Sequence, residues 1–305
     1  MLDKKVAVID LGTNTFNLLI AELSQDNFTV IHSSKEGVSL GMGGINKQFI
    51  AKDAFERGII ALNKFKEICK KNQVENITAI GTSALRDAKN SADFLNQVLK
   101  ETGIQIQIVS GEKEADLIYQ GVCWSYDFDE AAIIMDIGGG STEFILADKN
   151  GIIDKRSFDI GISRIYQEFE FQDPYSQDDI YKIENFLDEQ VGDFFKKINC
   201  QILIGASGSF ETFYEIMYGE RIEKYKKAIL FPTEDFNKIL DSIIHSTQEE
   251  RDQNPHIIPI RKKMIPISAI KTRWVIQNLG IQKIFVSSCS LKEGVLKDQQ
   301  EQHKR

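Results

Sequence analysis

The stretch Val8-Ile9-Asp10-Leu11-Gly12-Thr13-Asn14-Thr15 decides the fold, because it recurs as Ile134-Met135-Asp136-Ile137-Gly138-Gly139-Gly140-Ser141 at a constant offset of 126 residues. The match continues without a gap, Leu18-Leu19-Ile20-Ala21 falling on Phe144-Ile145-Leu146-Ala147. In each copy an apolar strand runs into an Asp, then a glycine-containing turn with hydroxyl residues, then a second apolar strand. A further strand pattern follows in both, Phe28-Thr29-Val30-Ile31 and Ile152-Ile153-Asp154-Lys155. Self-similarity at a fixed spacing is the mark of a duplicated unit. Each copy reads as a three-stranded meander that opens a domain.

Helical patterns follow each meander. Residues 53–71 carry Phe55, Ile59, Leu62, Phe65, Ile68 and Cys69 at a 3.6-residue period. A second helix over 90–102 has Ser91 as its expected N-cap and Gly103 as its stop. A third starts after Ser110-Gly111 and runs to about Trp124. In the second half a long amphipathic helix is expected over 177–198, another capped by Thr233, and a third over 268–279. Short apolar runs at 77–80, 106–109, 202–204 and 284–286 read as buried strands. Strands alternating with helices predict mixed α/β domains, and 305 residues are long for one core. The expected division is 1–125 and 126–305, at the polar stretch Ser125-Tyr126-Asp127-Phe128-Asp129-Glu130, with the last helix a candidate to pack back on the first domain. The charged tail 299–305 is expected to fray.

Composition narrows the function. A formal charge of −8 argues against a general polyanion-binding surface and against a nucleic-acid partner. No apolar run reaches the roughly 18 residues of a membrane span, and Met1-Leu2-Asp3-Lys4-Lys5 is followed by too short an apolar stretch for a secretory leader. Cys69, Cys123, Cys200 and Cys289 form no CxxC pair and read as reduced thiols. The expectation is a cytoplasmic protein with no membrane partner. His32, His245, His256 and His303 are scattered, which disfavours a His-based zinc site or a Ser/His/Asp triad.

Any phosphate recognition must therefore be local. Successive small residues let backbone amides converge on an anion; Gly138-Gly139-Gly140 offers such a turn and Ser141 adds a hydroxyl. Asp136, at the strand end beside it, suits a divalent cation. Amides to neutralise oxygens and a metal to offset charge are what phosphate chemistry asks for. A plain hairpin would need no Asp at the strand end, and here the Asp occurs twice.

The paired turns resemble the phosphate loops of the actin/Hsp70/sugar-kinase superfamily. Within it, Thr82-Ser83-Ala84-Leu85-Arg86-Asp87-Ala88, Ser110-Gly111-Glu112-Lys113-Glu114-Ala115 and Asp136-Ile137-Gly138-Gly139-Gly140-Ser141-Thr142-Glu143 resemble the signatures of the exopolyphosphatase/guanosine-pentaphosphatase family, in order and spacing. A weaker match is Leu291-Lys292-Glu293-Gly294-Val295-Leu296. The turn Gly205-Ala206-Ser207-Gly208-Ser209 departs from the family's usual Gly-Thr-Gly-Gly type, and Ser39 stands where a basic residue is common. Both departures bear on substrate preference.

The resemblance implies two duplicated actin-like (ribonuclease H-like) α/β domains with a cleft between them. It implies an exopolyphosphatase that uses Mg²⁺, with K⁺ a candidate activator and a homodimer a candidate assembly. Glu114 takes the role of general base, Glu112 being its neighbour in the same word, and Arg86 that of a phosphate clamp. A carboxylate complementing a helix dipole and an Arg86–Asp87 salt bridge are the plainer readings of the same residues. Asp136 and Glu143 form the metal shell, strand alternation turning Glu143 and Ser141 to one face. The first repeat has uncharged Asn17 at the place of Glu143, which assigns the cation to the second copy. Asp10, Gly12, Asn14, Thr15, Gly138, Gly139, Gly140, Ser141 and Gly208 are the phosphate-binding set. Arg221, Lys224, Lys226 and Lys227, with Arg261, Lys262 and Lys263, supply a track for a long polyanion or are solvated faces. The competing functions are guanosine pentaphosphate hydrolysis, a kinase or ATPase of the same superfamily, and a non-catalytic polyphosphate or alarmone sensor.

Overall fold

A computed structural model describes residues 4–24 and 27–304. Strand β1 (Lys4–Leu11) turns at Gly12 into β2 (Thr15–Leu23), which turns into β3 (Phe28–Gly37). Helix α1 (Lys52–Lys71), β4 (Asn76–Gly81), α2 (Ser83–Asp87), α3 (Ser91–Thr102), β5 (Ile106–Ile108) and α4 (Gly111–Val122) complete the first half. The second opens with β6 (Ala132–Ile137), β7 (Thr142–Asp148) and β8 (Gly151–Phe158). It continues through α5 (Ile162–Glu168), α6 (Gln177–Val191), β9 (Ile202–Gly205), α7 (Gly208–Tyr218), β10 (Ile229–Phe231), α8 (Thr233–Ile244), α9 (Gln248–Gln253), α10 (Ile265–Leu279) and β11 (Lys283–Val286). A last helix, α11, spans Leu291–Lys304.

The chain divides into two compact units, Met1–Gly121 with Leu291–Arg305, and Val122–Ser290. The first holds a sheet of order β3-β2-β1-β4-β5, the second one of order β10-β11-β9-β6-β7-β8. In both, the meander strands are antiparallel and the opening strand pairs in parallel with the strand that follows the first helices. The duplication reaches single residues. Asp10 lies opposite Asn17, and Asp136 opposite Glu143; the bulge at Ile20/Ala21 repeats at Leu146/Ala147, 126 residues on. Side chains point to alternate faces of a strand, so this shared register presents equivalent residues on equivalent faces.

The first unit's core lies between its sheet and α1 and α3, where Phe65 and Phe94 are fully buried and Phe55 packs edge-on to Phe94 at 5.0 Å. In the second, α10 is buried on nearly every side and packs on α5, α6 and α8. Phe194 and Phe195 are core residues against Phe144. Helix α11 packs on β1 and β2 of the first unit, so the C-terminal residues leave the second domain at Ser290.

Several boundaries differ from the sequence expectation. Helix α6 stops at Val191 because Gly192 adopts a left-handed φ of +56°, and residues 195–197 form a separate 3-10 turn. Ser91 begins α3 as a helical residue; Asn90 precedes it and its amide group bridges both the N–H and the C=O of Ile50. Thr233 likewise sits inside α8, its hydroxyl donating to Gln282 O at 2.8 Å. Helix α10 starts three residues early, at Ile265, with Pro266 in its first turn. The tail is anchored through residue 300: Gln300 Nε2 donates to Ser24 O at 2.7 Å and Asn27 O at 3.1 Å, and Gln299 Nε2 donates to the Thr78 hydroxyl. No helix among the described residues is long and apolar enough to cross a membrane, and all four cysteines are free thiols.

Candidate functional site

In the first unit, Gly12 N donates to Thr15 O at 3.1 Å and closes the β1–β2 turn. A side chain at Gly12 would lie 2.9 Å from that oxygen, so the tight turn requires glycine. The loop after β3 folds over it: Val38 N and Ser39 N donate to Asn14 O at 3.0 and 2.8 Å, and Gly41 N to Thr13 O at 3.1 Å. Arg57 fixes this loop by donating from Nε to Val38 O at 2.7 Å. Asp10 accepts from Asn17 Nδ2 at 2.9 Å. Burial pushes the Asp10 carboxyl up to about 6; the Asn17 hydrogen bond and Lys292 work against this, and Glu293 adds to it. Asp10, Gly12, Asn14 and Thr15 thus share one turn.

The other two predicted residues of this unit are brought into contact. Arg86 closes the short helix α2, and Glu114 occupies the first turn of α4, whose amide donates to Ser110 O at 2.9 Å. Arg86 Nη1 donates to Glu114 Oε2 at 3.0 Å and to Val109 O at 3.3 Å. Asp87 is farther, at 3.8 Å from Arg86 Nε. Glu114 is buried at 7% exposure while Glu112 is exposed, which separates the two acids of the same word. Behind α4, the Leu291–Leu296 word has a packing role. A side chain at Gly294 would meet Leu117 O of α4 at 1.7 Å, so glycine lets α11 rest directly on the helix that carries Glu114.

In the second unit the turn is repeated, Gly138 N donating to Ser141 O at 3.0 Å. What holds it is the segment 161–164, which lies outside every motif named above. Ile162 N donates to Gly138 O at 3.1 Å, Ser163 N to Gly139 O at 2.8 Å and Gly161 N to Gly140 O at 3.2 Å. Arg164 Nε adds a 2.7 Å bond to Gly140 O. A trans peptide points its N–H opposite to its C=O. Clamping the carbonyls of 138, 139 and 140 to residues 161–164 therefore aims the amides of Gly139, Gly140 and Ser141 to the other side. Among the described residues, the Gly139 and Gly140 amides donate to no backbone carbonyl. Like-aimed successive amides are the arrangement that anion-binding loops use.

Asp136, partly exposed, accepts from the Ser290 hydroxyl. Glu143, 1% exposed, accepts from Ser157 Oγ at 2.7 Å. Beneath them lies Lys271, fully buried, donating to Thr142 Oγ1 at 2.5 Å and to Ile160 O. Burial pushes this ammonium down to about 7, and the Glu143 charge opposes the shift. In the sequence the clamp is only Gly161-Ile162-Ser163-Arg164, a word that matches no motif. Lys271 gave no signal either, because a lone lysine in an apolar helix reads as a solvated stem.

Gly208 begins α7, and Arg261 is laid against it: a side chain at 208 would meet Arg261 Nη2 at 1.7 Å. Arg261 Nη1 donates to Thr212 Oγ1 at 2.9 Å, and burial lowers the proton affinity of its guanidinium. Arg261 is therefore engaged within its own domain rather than set on a solvated face. Lys262 donates to Asp252 O, leaving Lys263 as the exposed member. In the other basic cluster Lys224 pairs with Glu211, Lys226 with Glu223 at 3.9 Å and Lys227 with Asp127 at 2.6 Å.

The sequence pattern of the Ppx/GppA phosphatase family matches residues 19–303. The chain is 33% identical over 299 residues to the bifunctional 3-dehydroquinate synthase/phosphatase of Fusobacterium nucleatum, covering 92% of itself and 44% of that protein, less than half of that relative's length. It is 30% identical to a putative exopolyphosphatase of Haemophilus influenzae, over 70% of this chain and 67% of that one. Its structure superposes on that of an exopolyphosphatase from Cytophaga hutchinsonii with a TM-score of 0.94 and 35% identity, covering 98% of both chains. The Aquifex aeolicus Ppx-GppA enzyme follows at a TM-score of 0.81 and 25% identity, over 97% of this chain and 99% of that one. With the duplicated α/β sheets, the repeated glycine turns and a match across nearly its whole length, this chain belongs to the Ppx/GppA phosphatase family.

Proposed function

We propose that the chain is an exopolyphosphatase, releasing terminal orthophosphate from inorganic polyphosphate by in-line attack of water. The observation that carries this reading is Glu114, a carboxylate at 7% exposure held by Arg86 at 3.0 Å in a protein whose glycine turn offers convergent amides. A carboxylate adds nothing to the affinity for a polyanion, whereas in-line hydrolysis needs one to take the proton of water. A kinase would need an acceptor pocket, and nothing in the signature words supplies one.

Roles follow from the chemistry of each group. The amides of Gly139, Gly140 and Ser141 hold the oxygens of the terminal phosphates. Glu114 orients water and takes its proton as the new P–O bond forms. The bond to the bridging oxygen breaks, and the products are orthophosphate and a chain one phosphate shorter. Arg86, a planar fork of donors, stabilises charge on the transferring group.

The donor set suits Mg²⁺. Among the described residues no three His, Cys, Asp or Glu side chains gather as a cage. Mg²⁺ asks for less, one or two carboxylates, its remaining positions being water and substrate phosphate. Asp136 and its cross-strand neighbour Glu143 are those carboxylates. When bound, the ion supplies positive charge against the phosphate oxygens.

The test is orthophosphate release from polyphosphate, guanosine pentaphosphate and ATP, each with and without Mg²⁺. Fastest release from polyphosphate, dependent on Mg²⁺, supports the proposal. Preferred cleavage of guanosine pentaphosphate would move the substrate to the alarmone, and absence of release with all three would leave a binding protein.

A further inference from the structure

Among the described residues Lys271 is the one fully buried lysine, on a helix buried on nearly every side. A buried ammonium is costly, and a methionine of similar length would fill the space at far lower desolvation cost. Its two hydrogen bonds say what it does for the fold. One goes to Thr142, the residue after the last member of the glycine turn; the other goes to Ile160 O, directly before the clamp at Gly161–Arg164. The turn and its clamp are otherwise joined through the carbonyls of 138–140. Lys271 braces the same two segments from below.

We propose that Lys271 is a positioning residue for anion binding: by bridging Thr142 to Ile160 it sets the spacing at which the turn's carbonyls stay clamped and its amides aimed. This rests on the reading that the turn binds phosphate. The plainer alternative is that Lys271 merely balances the charge of Glu143. The two differ at Thr142, whose hydroxyl takes part in the brace and carries no charge.

The experiment measures binding of inorganic tripolyphosphate to the full chain by calorimetry in a chelating buffer, so that metal plays no part. Lys271→Met and Thr142→Val are expected to weaken binding about ten-fold, the scale of a lost charge-assisted hydrogen bond. Thr142→Ser, which keeps the hydroxyl, is expected to bind within about two-fold of wild type, a range below the loss of one hydrogen bond. Should Lys271→Met not fold, the Val and Ser variants at 142 decide alone. Unchanged affinity in Thr142→Val with an intact fold overturns the proposal, as does a Thr142→Ser variant as weak as Thr142→Val. A wild type that binds no tripolyphosphate overturns it too. A wild type that binds but releases no orthophosphate would remove the hydrolase reading and leave this one standing.

Discussion

Replacing Gly161 with alanine tests the clamp beneath the glycine turn. The new methyl carbon would stand 2.2 Å from Gly139 O and 2.3 Å from the carbonyl carbons of Gly139 and Gly140. Non-bonded contacts begin near 3.5 Å, so one backbone must retreat by more than about 1 Å. Neither can do so by swinging a flexible side chain aside. The bonds Gly161 N–Gly140 O at 3.2 Å and Ser163 N–Gly139 O at 2.8 Å would stretch beyond useful length. Overpacking costs about 1–3 kcal/mol and each lost backbone bond about 1 kcal/mol; a loss of about 3 kcal/mol is expected in urea unfolding. Tripolyphosphate affinity should fall more than about ten-fold, since displaced carbonyls carry their amides with them. Gly103→Ala is the control, with φ of +70° and no atom within 4 Å of the added methyl. It should lose about 1 kcal/mol through backbone strain alone and bind tripolyphosphate normally. A Gly161→Ala protein as stable as wild type, with unchanged affinity, would refute the clamp.

Glu114→Gln should keep the fold and substrate affinity and lower turnover by about two to four decades, the usual span for a lost general base; near-normal turnover would move the base elsewhere. Asp136→Asn should raise the Mg²⁺ concentration needed for half-maximal rate, because a charged oxygen donor is lost; an unaltered metal titration would remove that role. Asp10→Asn should stabilise the protein at pH 7.5 and have little effect at pH 4. Between the ordinary carboxyl value of 3.8 and the folded value of about 6, the folded state keeps a proton that the unfolded chain has released. Stability attributable to this group is therefore present below pH 4 and lost as pH rises through 6. Asp10 retains partial solvent contact, so about 1–2 kcal/mol is the expected gain, less than the full shift would give. Equal effects of the substitution at the two pH values would contradict it.

The repeat made the fold legible. A gapless 126-residue offset carries strand register with it, which is why Asp10–Asn17 and Asp136–Glu143 fall at the same rungs of their ladders. Glu114 and Arg86 were legible as words, but their contact was not, since it depends on where α2 ends relative to the first turn of α4. Gly161 and Arg164 were hidden because their work is done through main-chain carbonyls of a distant turn, which leave no periodic trace. Arg261 and Lys263 belong to one basic run in the sequence yet meet opposite fates. The 3-10 turn at Pro259–Arg261 turns the first inward onto Gly208 and leaves the other exposed. The start of the tail departs from the expectation for a like reason: Gln300 satisfies the carbonyls of Ser24 and Asn27, and Gln299 donates to the Thr78 hydroxyl.

The most direct measurement of the central claim is orthophosphate release from polyphosphate in ¹⁸O-enriched water with Mg²⁺ present. Water attack on the terminal phosphorus predicts one solvent oxygen in every orthophosphate released in a single turnover. Orthophosphate without solvent oxygen, or no orthophosphate at all, would contradict it.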